Sequence, residues 1–163
     1  MAIRKIVKLG DDTLRKECRK QDKFDLRLAI LLKDMADTMY RAEGVGLAAP
    51  QVGVLRRVVV IDIGEGLVEM VNPVITYRDG TQCGREGCLS LPGRQAVVTR
   101  PNVVKVTYQD RRGAFCELMA EGFMARELCH ELDHMDGRLY IDVMDRELTP
   151  EEIEGHIPED DDE

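Results

Sequence analysis

Two of the chain's three histidines stand four residues apart, in His130-Glu131-Leu132-Asp133-His134. On a helix this spacing puts both imidazoles on one face, about 6 Å apart along the axis. Two imidazoles so placed can grip one metal ion. Glu131 directly follows the first of them, and its carboxylate can reach a water on that metal. The chemistry predicted is metal-assisted hydrolysis; the competing reading is a charged, solvated helix face that binds nothing.

A catalytic metal of this kind takes three protein ligands and keeps one position open. His156 is a poor third ligand, because it lies in an acidic C-terminal stretch. Among the downstream acids Asp136, Asp142 and Asp145, Asp136 is too near His134 to share its helix face. No third histidine follows at metzincin spacing. Cys88 is the better choice. It sits in the Gly- and Pro-flanked segment Glu86-Gly87-Cys88-Leu89-Ser90-Leu91-Pro92-Gly93. A thiolate binds zinc or ferrous iron strongly, and binding keeps it deprotonated. Taken alone, Cys88 reads as a small buried hydrophobe. Beside a histidine pair that lacks a partner, the balance shifts to ligation.

These residues need elements to hold them. The spacing of Phe123, Met124, Leu128 and Leu132 predicts a helix over 123–136, with Gly137 stopping it. A longer helix is predicted over 24–43, from Phe24, Leu28, Leu31, Leu32, Met35 and Met39. Asp22 or Asp25 caps its start and Gly44 ends it. A Gly-rich turn follows at 44–53, and residues 57–63 read as a buried strand. Short strands are expected at 67–71, 74–77, 96–99, 103–108 and 115–119. A helix, many strands and a helix make an α+β order, not alternating βαβ units.

The chain of 163 residues suffices for one domain with a real core, read as residues 1–150. Residues 151–163 read as an acidic, solvated tail. With 31 acidic and 23 basic side chains the net charge is −8, which argues against a general nucleic-acid binder. No apolar run approaches a membrane span and the start lacks a signal-peptide pattern. The five cysteines are odd in number and include no CxxC pair, so reduced thiols and a cytoplasmic location are expected.

The chain resembles the peptide deformylase family. Three segments carry the resemblance, in order: Gly44-Val45-Gly46-Leu47-Ala48-Ala49-Pro50-Gln51, Glu86-Gly87-Cys88-Leu89-Ser90 and His130-Glu131-Leu132-Asp133-His134. The similarity runs over about residues 3–144. It implies an α+β fold with antiparallel strands around a central helix that bears the histidines. It implies Cys88, His130 and His134 as ligands of one divalent ion, Fe(II) first, with zinc, nickel or cobalt as substitutes. The implied reaction removes the N-formyl group from the initiator methionine of newly made polypeptides and releases formate. Glu131 is then the proton shuttle, and the Gln51 amide and Leu89 N–H stabilise the oxyanion. Val45, Gly46 and Leu89 line the substrate strand's path.

Without the resemblance, Gln51 reads as a surface amide, Gly44 and Gly46 as turn residues, and Asp133 as a solvated acid or as a residue that orients a neighbouring group. Arg126 and Glu127 depart from the family, in which apolar residues often border the methionine pocket. Their plain reading is an exposed ion pair; the alternative is that either side chain enters the pocket wall and alters the side-chain preference beside the formyl group. Cys129 stands where many members have Gln, and reads as packing or as a thiol open to oxidation. Some members dock on the ribosome through a basic C-terminal helix; the acidic end here puts that contact in doubt. The competing functions are a metallopeptidase or other metal-dependent amidase, and a non-catalytic metal-binding homologue. The Cys88 segment speaks against ordinary zinc proteases.

Overall fold

The computed structural model describes residues 2–154. In chain order the elements are α1 (Leu26–Arg41), β1 (Gly46–Ala48), β2 (Val58–Ile61), β3 (Val68–Asp79), β4 (Gln82–Cys88) and β5 (Leu91–Arg100), then β6 (Val103–Gln109), β7 (Phe115–Glu121), α2 (Phe123–Met135), β8 (Arg146–Glu147) and α3 (Pro150–Glu154). Two antiparallel sheets form. One has the order β1-β2-β3-β6-β7, the other β4-β5-β8.

β2 is buried along its whole length, which explains its unbroken run of Val58-Val59-Val60-Ile61. Val58 and Val60 pack on one side with Leu28, Leu32, Met35 and Met39 of α1. Val59 and Ile61 pack on the other with Leu128, Leu132 and Met135 of α2. Each such fully buried side chain contributes about 1.5–3 kcal/mol, so the sheet that carries β1 is clamped between the two helices. A third cluster joins Leu91, Ala96 and Val98 of β5 to Leu14, Leu139 and Tyr140, with Cys88 at its border.

Asp25 caps α1, its carboxylate accepting from the Leu28 N–H at 3.2 Å. The helix ends in a Schellman turn, with Glu43 N–H on the Tyr40 carbonyl and Gly44 N–H on the Met39 carbonyl. The left-handed residue is Glu43, at φ 58°, not the expected glycine. Gly44 is needed for space instead, since a Cβ there would lie 2.7 Å from Leu89 Cδ1.

The predicted helices and most strands appear with shifted ends. The expected strands at 67–71 and 74–77 are one strand, β3, which bulges between Val71 and Val74. Asn72 takes a left-handed φ of 52° there, which lets the chain continue past Pro73. The segment read as a Gly-rich turn contains β1. β4 was not foreseen. Of the expected acidic tail, residues 151–154 fall within α3; the remainder, His156 included, lies outside the described residues. No described helix is long and apolar enough to cross a membrane, and the five cysteines are free.

Candidate metal centre and cleft

α2 lays its apolar stripe on the larger sheet and turns His130, Glu131 and His134 toward β4. These three are 4%, 2% and 1% exposed, which excludes a solvated helix face. Cys88 ends β4, where Cys88 pairs with Leu91 across a two-residue turn. The turn brings its sulfur to the histidines. Sγ lies 3.4 Å from His134 Nε2, and one ligand atom from each of Cys88, His130 and His134 falls within 4.8 Å of the others. A thiol and two imidazole nitrogens converging in a buried space suit one divalent ion of borderline softness.

The centre rests on a buried ionic network. His130 Nδ1–H donates to Glu86 Oε1 at 2.9 Å, which leaves its Nε2 free to face Cys88. Arg100 forks onto both oxygens of Glu86 at 2.9 Å, and Arg126 Nη1 reaches Oε2 at 2.7 Å. Arg100 also donates to Asp133 at 2.8 Å. Two guanidinium groups and two carboxylates balance. Burial pushes Glu86 up, but the hydrogen bonds from Arg100 and His130 outweigh it and hold the carboxyl near a pKa of about 2. Burial, together with His130 and Arg100, drives His134 well below its ordinary value, so it is an electron-pair donor. Burial also opposes the charge on His130, yet hydrogen bonds to Cys88 and Glu86 raise it well above its usual pKa. Tyr140 stacks behind His130, with ring centroids 6.0 Å apart.

This network corrects one expectation and decides between two others. Arg126 is not half of an exposed ion pair: it is 3% exposed and bound to Glu86. Of the two readings of Asp133, the ion pair with Arg100 supports the one that has it orient a neighbouring group. Sequence spacing gives no sign of Glu86 and Arg100 in the site, and none that Arg126 lies under the histidines. The available signal was chemical: an acid next to a ligand-bearing cysteine, in a segment too Gly-rich to be a surface strand.

Glu86→Gln should therefore weaken the protein in two ways. Unpairing a buried charge costs about 3–5 kcal/mol, and losing the partner of a ligand histidine lowers metal affinity by about 10–100-fold. The acid dependence should change too. With its pKa at about 2 against an ordinary 4.5, Glu86 contributes stability that is complete above pH 4.5 and is lost as pH falls toward 2. Urea melts of the metal-free proteins across that window should show a flatter profile in the variant.

Gln51 is buried at 1% exposure, not a surface amide. Its Oε1 accepts from the Ala48 N–H at 2.9 Å. Its Nε2 donates to Ser90 Oγ at 3.1 Å and points its other hydrogen toward Cys88 Sγ at 3.4 Å. Gly46 packs on the shuttle candidate: a Cβ there would meet Glu131 Oε2 at 2.5 Å. β1 is also a sheet edge. The Asp62 N–H donates to the Val45 carbonyl, so Gly46, one residue on, turns its own N–H and C=O to the open side. Val45, Gly46 and Leu89 line a cleft of about 290 Å³ that opens onto Cys88, His130 and Glu131. Glu127 stands in the same cleft. Cys129 is buried among core residues, and burial raises its thiol pKa.

Comparison with known proteins gives one family. The polypeptide deformylase family matches residues 3–149. A peptide deformylase of Caldanaerobacter subterraneus subsp. tengcongensis is 53% identical over 155 residues, 95% of this chain and 98% of its own. One from Caldicellulosiruptor bescii is 54% identical over 154 residues, 94% of this chain and 93% of its own. The crystal structure of peptide deformylase from Thermotoga maritima superposes with a TM-score of 0.87 at 42% identity, over 88% of this chain and 99% of that one.

Proposed function

The chain belongs to the peptide deformylase family, and on that premise we propose how its cleft works. The reaction hydrolyses the N-formyl group of the initiator methionine on newly made polypeptides and releases formate. The family is metal-dependent, and our assignment of the ligands is Cys88, His130 and His134. Their convergence beside the buried Glu131 is the observation that carries the proposal. The donor set admits Fe(II), zinc, nickel or cobalt, and Fe(II) is put first on the family resemblance alone. Bound there, the ion supplies Lewis acidity and lowers the pKa of water at the site.

The protein's own groups do the rest. Glu131 takes the proton of the attacking water and returns it to the departing amine nitrogen. It is not a ligand, because the same carboxylate must carry the proton. The formyl oxygen gains charge as the carbon becomes tetrahedral. Gln51 Nε2 and the Leu89 N–H donate to it there, with Gln51 held rigid by Ala48 and Ser90. The peptide lies extended along the free edge of β1 and bonds to Gly46, with Val45 and Leu89 as its walls. Residues 1–150 form the catalytic unit, with 151–163 as an acidic extension, working in the cytoplasm where polypeptides are made.

X-ray absorption at the metal edge tests the ligand set in protein purified without oxygen. One sulfur and two imidazole nitrogens are expected; a shell without sulfur would exclude Cys88.

A further inference from the structure

The oxyanion donors assigned above stand on different sheets. Gln51 lies in the short 3-10 turn Ala49–Val52 that follows β1. Leu89 lies in the turn between β4 and β5, and the sheets of β1 and of β4 share no strand. Strand pairing therefore does not set the spacing of the donors. Val7 and Leu9, in the segment before the first helix, bridge them instead. The Val7 N–H donates to the Gln51 carbonyl at 2.7 Å, and the Leu9 N–H donates to the Ser90 carbonyl at 2.8 Å. This strap is fixed on both sides. Before it, the Arg4 N–H donates to Thr38 Oγ1 at 2.9 Å and Arg4 Nε to Asp34 Oδ2 at 3.0 Å, both on α1. After it, Leu14 is buried. Val7 itself packs against the cluster of Leu91 and Tyr140. A segment tied down in this way is not a fraying terminus.

From this arrangement we infer that the backbone amides of Val7 and Leu9 are positioning groups of the reaction, holding the Gln51 amide and the Leu89 N–H at the separation that a single oxyanion requires. The inference rests on the oxyanion assignment made above. Both donors must meet one oxygen at about 2.7–3.1 Å, and a placement error of about 1 Å can cost about 100-fold in rate. The bonds of the Gln51 side chain to the Ala48 N–H and Ser90 Oγ fix its rotation. The Val7 bond fixes the backbone from which that side chain extends. The Leu9 bond does the same for the turn that carries Leu89, one residue before Ser90. Neither Val7 nor Leu9 lines the cleft, so their effect falls on the transition state and not on peptide binding.

The test is V7P, which removes the N–H that meets Gln51, assayed as metal-loaded enzyme on a formyl-Met peptide. Its kcat should fall about 10–100-fold, with metal content at the wild-type level and KM within about twofold of it. V7P is then combined with Q51A. Because the strap acts on this donor through Gln51, V7P should cost nothing further in the Q51A background, whereas a general loosening of the fold would multiply the two losses. K8P controls for the proline ring. Lys8 is exposed and its N–H has no partner among the described residues, so K8P should keep kcat near the wild-type value. Where V7P does not fold, an ester in place of the Val7 amide removes the same N–H without the ring; a synthetic segment ending at Glu17 and ligated at Cys18 supplies it. Wild-type kcat in V7P overturns the inference alone. So do losses that multiply in the double variant, a fall in K8P as deep as in V7P, or collapse of the proline and ester proteins alike. Wild-type kcat in Q51A overturns the oxyanion assignment and the inference together, and a wild-type enzyme that releases no formate overturns the reaction as well.

Discussion

Glu131→Ala is expected to lower the turnover of formylated peptides by about 10²–10⁴-fold while the protein keeps its metal. Glu131 is 2% exposed and its Oε1 has no hydrogen-bond partner among the described residues. An orphaned buried carboxylate oxygen is costly to hold, and a proton shuttle gives it a use. Burial above all, with Glu127 and Glu86 adding to it, raises the pKa of Glu131 to about 8 against the pull of His130 and Arg100. Such a group can take and return a proton near neutral pH. Because no ligand is removed, metal content should stay at the wild-type level and the fall should appear in kcat. Steady-state kinetics and metal analysis on one preparation check both halves; unchanged turnover would remove Glu131 from the mechanism.

Cys88→Ala acts at the opposite end of the same chemistry. Its sulfur is the ligand atom that β4 brings within reach of both histidines of α2. The loss in metal affinity should therefore exceed the about 10–100-fold that follows removal of a supporting partner, and activity should be lost with it. Competition with a chelator measures the affinity directly. Cys116→Ala, remote on β7, is the control and should bind like wild type. Full occupancy of Cys88→Ala in that competition would dismiss the ligand assignment.

How much of this was legible in the sequence follows from how local each signal is. The histidine pair and its helix are repeated within one turn, so spacing alone reveals them. β2 is legible because burial on both faces demands an unbroken apolar run. β4 is not. Its buried residues include Gly84 and Glu86, so it shows no alternation of apolar and polar side chains. β1 has only three residues and begins with a glycine; its strand character comes only from pairing with β2, whose partner residues lie 15, 13 and 11 positions on from Gly46, Leu47 and Ala48. The network under His130 is the least local feature. Glu86 meets Arg100, Arg126 and His130 across separations of 14, 40 and 44 residues. A buried charge on a strand looks like a surface residue until its partners are placed beside it. For the same reason Arg126 and Glu127, neighbours in sequence, diverge in the fold: one enters the ionic network, the other faces the cleft.

The most direct test of the account is formate release by protein purified and loaded with Fe(II) under anaerobic conditions. With a formyl-Met peptide, the account predicts one formate per peptide consumed, an intact chain beginning at methionine, and no cleavage of internal amide bonds. Fully metallated protein that releases no formate, or that cuts unblocked peptides internally instead, would contradict it.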